Sequence, residues 1–97
     1  MDKFKIVWAD QAKLALKDIY NYYKEKSLQV AKNIKSDLLQ SPKTIHFSKQ
    51  YQLDEINPKY RRIVVRHYKV LYKQKGDTIS VVDIVSTRQS PEVLESK

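Results

Sequence analysis

The 97-residue chain has no cysteine and a single glycine. The first absence excludes disulfides, thiolate nucleophiles and thiolate metal sites, and it permits a reducing compartment. The second excludes nucleotide-binding phosphate loops, because Gly76 alone cannot form a glycine-rich turn at a helix N-terminus. No apolar run approaches the ~18 residues of a membrane span, and the opening MDKFKIVW lacks the roughly 7–15 apolar residues of a secretory signal. A soluble cytoplasmic protein that touches no membrane is therefore expected. Only two histidines occur, His46 and His67, without ligand spacing, and both read as surface or turn residues. With no Ser-His-Asp motif either, neither a metal nor a cofactor is expected.

What the chain has in excess is positive charge. Nineteen Lys and Arg against eleven Asp and Glu leave a net +8, which favours long-range attraction to nucleic acid, ribosomes or acidic proteins. At 41% hydrophobic residues, a chain of this length makes one domain, residues 1–97, with a modest core. The cations concentrate in Tyr60–Pro91, where seven Lys and Arg are interleaved with β-branched and aromatic residues and no acid falls between Lys59 and Lys75. A sheet built from that stretch would hold fixed positive charges in rows.

Phe4–Trp8 reads as a short strand. Asp10 is a candidate N-cap for a helix over residues 10–26, with Ala12, Leu16, Ile19 and Tyr23 on one stripe. Ser27 caps a second helix with Val30, Ala31, Ile34 and Leu38 on one side, and Pro42 ends it. The short connection predicts an antiparallel helical hairpin. Residues 42–59 read as a long surface connection with an extended piece near Gln50–Leu53. Three strands follow: Arg61–Arg66, Tyr68–Lys73 and Thr78–Ser86. Arg66-His67 would form an unusual tight turn and Gly76-Asp77 an ordinary one. Ser90-Pro91-Glu92 reads as the entry to a short C-terminal helix. The expected fold is α+β, an antiparallel sheet of about four strands against the hairpin.

Strand alternation places Arg62 and Arg66 on one face, with Lys69 on the next strand and Arg88 closing the last; all four are expected to converge. Such a cluster suits either stabilisation of a phosphorane-like transition state in RNA cleavage or plain docking onto phosphates and carboxylates. Tyr51 and Tyr60 flank the loop as candidates for stacking on a base or partner. Tyr68 and Tyr72 read as core residues.

Tyr60-Arg61-Arg62-Ile63-Val64-Val65, Tyr68-Lys69-Val70-Leu71-Tyr72 and Arg88-Gln89-Ser90-Pro91, together with the WADQAKLALKDIYNYY stretch, resemble the RelE/ParE superfamily of bacterial type II toxins in order and spacing. The resemblance covers nearly the whole chain and implies the α+β fold read above. It implies a growth inhibitor neutralised by a cognate antitoxin, in a toxin-antitoxin hetero-oligomer. It also implies one of two actions: ParE-like inhibition of DNA gyrase without catalysis, or RelE-like, metal-independent, ribosome-dependent mRNA cleavage. In the nuclease branch Arg62, Arg66, Lys69 and Arg88 would be catalytic. In either branch these residues, with Tyr51, Tyr60 and Arg61, would bind target or antitoxin. Two departures stand out: Lys69 occupies the position of a family arginine, and Leu94 stands where some nucleases carry a tyrosine that can move a proton. The Tyr-Arg-Arg opening and Arg-Gln-Ser-Pro ending look closer to the ParE-like branch.

Overall fold

In a computed structural model, which describes residues 4–88, the chain forms β1 (Lys5–Trp8), α1 (Asp10–Lys24), α2 (Leu28–Gln40), a 3₁₀ turn (Ser41–Thr44), β2 (Arg61–Val65), β3 (Tyr68–Lys75) and β4 (Thr78–Ser86). The expected terminal helix at Ser90–Glu92 lies outside the described residues.

Helix α1 starts one residue differently from expectation. Ala9 holds the N-cap position without a side-chain cap, and Asp10 sits in the first turn, where its charge favours the helix N-terminus. Ser27 caps α2 as expected, its Oγ accepting from the Val30 amide. Ala12 and Leu16 of α1 and Ala31, Ile34 and Leu38 of α2 are buried, whereas Val30 is exposed. Pro42 does not force the chain out of helical geometry. Ser41 stays αR, and Pro42 occupies the first turn of the 3₁₀ segment.

The sheet order is β1-β4-β3-β2. The β2–β3 and β3–β4 pairs are antiparallel as expected, but β1 joins the edge parallel to β4, so the sheet is mixed. The hairpin explains this: β1 runs into α1, α2 returns the chain, and two strands intervene before β4 comes back in the direction of β1. A bulge between Leu71 and Tyr72 leaves Val82 unopposed. Ile79, Val81 and Ile84 therefore all face the helices, joining Ile63, Val70 and Tyr72 in one core with Leu16, Ile34 and Leu38. Among the described residues the other face has no helix over it, and only the connection before β2 reaches across it, where Asp54 meets Lys69 and Leu71 is buried. From the register this face carries Lys5 and Val7 of β1, Thr78, Ser80 and Asp83 of β4, Lys69, Lys73 and Lys75 of β3, and Arg62 and Val64 of β2.

The β2–β3 connection is the two-residue turn foreseen at Arg66-His67, and Arg66 takes φ 56. A left-handed, non-glycine residue is costly there, on the order of 1 kcal/mol.

Candidate functional site

The four cations expected to converge do not form one cluster: Arg62 and Lys69 share a face and bond the neighbouring residues Leu53 and Asp54, whereas Arg66 and Arg88 turn elsewhere. Arg66 ends the alternation of β2, because its positive φ turns the side chain away from the face of Arg62. Its Nε donates to Asp37 Oδ2 of α2 at 2.7 Å, with both side chains nearly half exposed. Such a pair contributes at most about 1 kcal/mol. Lys69 Nζ is 2.6 Å from Asp54 Oδ1, with the two side chains 15% and 1% exposed. Arg62 Nη1 donates to the Leu53 carbonyl at 2.7 Å, and Arg61 Nη1, on the helix-facing side, to the Tyr51 carbonyl at 2.7 Å. Arg88 stands at the end of β4, its Nη2 2.9 Å from His67 Nε2. A guanidinium can only donate, so Nε2 accepts and the imidazole proton is on Nδ1.

Asp54 organises the connection between the 3₁₀ turn and β2. Its Oδ2 accepts from the amides of Ile56 and Asn57, its own amide donates to the Tyr60 carbonyl, and Leu53 bridges to Arg61. The Asp54-Glu55-Ile56-Asn57-Pro58 run is an Asx-type turn in which the carboxylate replaces a backbone acceptor. Burial alone would raise the Asp54 pKa, but the Lys69 ammonium and the two amides outweigh it and hold the carboxyl below its ordinary 3.8. A depressed folded-state pKa gives stability that is complete above the unfolded value and lost as pH falls through the folded one. Asp54→Asn is therefore expected to flatten the fall in stability below about pH 4, measured as urea midpoints across the acid range.

The tyrosines divide similarly. Tyr51 is no free stacking platform: its ring meets Tyr72 edge-on at 6.4 Å between centroids, and its hydroxyl bonds Thr44 Oγ1 at 2.7 Å. Tyr60 is half-buried and holds the loop through its backbone. Tyr72 is buried as expected, which raises its pKa. Burial and its hydrogen bond to the Tyr23 hydroxyl push Tyr68 far above the usual phenol range. Both phenols stay protonated at neutral pH.

The fold also builds a feature that strand alternation could not reveal. Strand β1 pairs with only Thr78–Val81 of the nine-residue β4, so among the described residues the edge beyond Val81 faces no strand. The Thr87 amide donates to the His67 carbonyl, so alternation turns the backbone groups of Ile84 and Ser86 outward. The Ile84 amide is taken by the carboxylate of its own neighbour, Asp83 Oδ1, at 2.8 Å. Between this edge and α1 runs a groove of about 680 Å³, walled by Leu14, Asp18, Ile19, Tyr22 and Tyr23 and ending at His67 and Arg88. Leu14 and Tyr22 are 57% and 58% exposed on its rim. A strand shorter than its partner was the signal available in the sequence, where Phe4–Trp8 is about half of Thr78–Ser86.

Residues 6–91 match the family described as the ParE toxin of the type II toxin-antitoxin system parDE. The chain belongs to this family. The fold agrees: a chain of the chromosomal ParDE toxin-antitoxin system from P. aeruginosa superposes with a TM-score of 0.74 at 17% identity, over 86% of this chain and 95% of that one. A YoeB/ParE toxin from Agrobacterium tumefaciens aligns at 15% identity, over 86% of this chain and 98% of that one, with a TM-score of 0.44. No curated protein matches the chain in sequence. Membership of the ParE toxin family makes the protein a type II toxin and implies a cognate antitoxin. Among the described residues, no helix is long and apolar enough to cross a membrane, and no group of three or more His, Cys, Asp or Glu could hold a metal.

Proposed function

We propose that this ParE-family toxin inhibits growth by binding DNA gyrase without itself cleaving nucleic acid, and that its antitoxin silences it through an extended segment laid in the groove between α1 and the open edge of β4. The observation that carries the first half is the internal engagement of the cations. A nuclease needs donors aimed at the developing phosphorane charge before the substrate arrives. Here Lys69 is spent on Asp54, Arg66 on Asp37 and Arg62 on the Leu53 carbonyl. Leu94, where a proton-transferring tyrosine would serve, points the same way. The groove supports the second half, since it offers outward backbone groups for strand addition, apolar walls for alternate side chains and a cationic end.

Purified protein added to gyrase and relaxed plasmid is expected to block supercoiling, and induced cells should mount a DNA-damage response while translation initially continues. Ribosome-dependent message cleavage with gyrase unaffected would overturn this. The nuclease alternative keeps one observation, the His67 imidazole 2.9 Å from the Arg88 guanidinium. Undiminished toxicity and message decay in Arg88→Ala would remove that support.

A further inference from the structure

At the end of the sheet opposite the Arg66-His67 turn, the helix-free face carries a second basic surface, and we infer that it docks the phosphate backbone of duplex DNA. Lys5 of β1 and Lys75 of β3 lie on either side of Thr78, and Lys73 and Val7 on either side of Ser80. With strands ~4.8 Å apart and alternate residues ~7 Å apart along a strand, the three lysine stems occupy a patch roughly 10 Å across. All three lysines are exposed, and the ion pairs among the described residues, Arg66–Asp37 and Lys69–Asp54, involve none of them. The acid nearest in sequence, Asp77, lies in the hairpin turn and accepts from the Thr78 hydroxyl.

The composition of the patch selects its ligand. A protein partner is disfavoured, because interface cores are depleted in lysine and anchored by aromatics and arginine, none of which stands here among the described residues. Single-stranded nucleic acid is disfavoured as well, since its unpaired bases require aromatic platforms and the floor is Val7, Thr78 and Ser80. What remains is a flat floor under three ammonium groups. Lysine binds phosphate as a point charge without needing a fixed approach angle. A duplex carries one phosphate per ~1.7 Å of its axis, both strands counted, so three ammonium groups on flexible stems are matched by roughly three phosphates. Binding is blind to sequence, because the contacts stop at the backbone. The inference is independent of whether gyrase is the target, although a toxin held on DNA would meet an enzyme that works there.

The test is fluorescence anisotropy of a labelled mixed-sequence duplex of about 20 base pairs, titrated with the full chain at several salt concentrations. Three phosphate contacts predict that log K falls against log salt with a slope at least as steep as about −2.7, a loss of about 40-fold or more between about 50 and 200 mM. The triple variant Lys5→Gln, Lys73→Gln, Lys75→Gln should lie about 2.7 shallower in slope and keep its melting temperature. The variant Arg62→Gln, Arg88→Gln should bind as the parent does. An unchanged slope in the lysine variant, binding lost instead in the arginine variant, or tighter binding to a single strand of equal length would each overturn the inference. Because this readout contains no gyrase, its failure is distinguishable from failure of the proposed toxic mechanism.

Discussion

Lys69→Met is expected to lower stability by about 3 kcal/mol and the melting temperature by at least about 12 °C. The substitution leaves the Asp54 carboxylate, 1% exposed, with two amides and no counter-charge, and it loosens the turn that pins residues 52–54 against β2. Removing both charges should be far milder. In the double variant Asp54→Asn, Lys69→Met, a neutral amide needs no ammonium, and most of the lost stability returns. Urea denaturation of the parent, both single variants and the double variant gives the coupling directly. The result bears on function, because Lys69 sits at a position that the family resemblance would make catalytic or target-binding. A Lys69→Met protein that melts within about 3 °C of the parent, yet loses toxicity, would restore it to that role.

The second large effect is expected at the groove. Leu14→Asp should weaken antitoxin binding by about 100-fold or more, on the order of 3 kcal/mol, measured by calorimetry or surface binding with the cognate antitoxin. The new carboxylate would sit beside Asp18 and Asp83 on an apolar wall, where an incoming segment would have to desolvate it. Stability should change by only about 0.5 kcal/mol, since Leu14 is 57% exposed on a helix surface. Asp83→Ala should act in the opposite sense or not at all, because it vacates the Ile84 amide for a partner carbonyl. Full affinity in Leu14→Asp would place the antitoxin elsewhere.

The fold was readable where local pattern decides it. The apolar stripes of α1 and α2, the Ser27 cap and the Gly76-Asp77 turn follow from spacings of a few residues. Even the turn at Arg66-His67 was implied by two alternating runs that left no other room. The parallel placement of β1 was less accessible, because it depends on which sheet edge the hairpin leaves open. The candidate site was the least legible part. Alternation put Arg62 and Lys69 on strands, yet what the cations do is set by partners far away in sequence: Asp37 is 29 residues from Arg66, Asp54 is 15 from Lys69, and the Leu53 carbonyl is 9 from Arg62. Only the Asp54–Pro58 turn chemistry offered a local hint that an acid there would be buried and in need of a cation.

The pairing of β1 with β4 also bears on when the protein becomes dangerous. Ile6 waits for Ile79, roughly 70 residues later in synthesis. At ~5–20 residues per second, about 4–15 s pass on the ribosome before the sheet can close. A chain interrupted before its final hairpin lacks the strand at the centre of the core and one wall of the groove, so abortive translation products should be harmless. The host's exposure to the toxin is thus timed by the last strand to emerge.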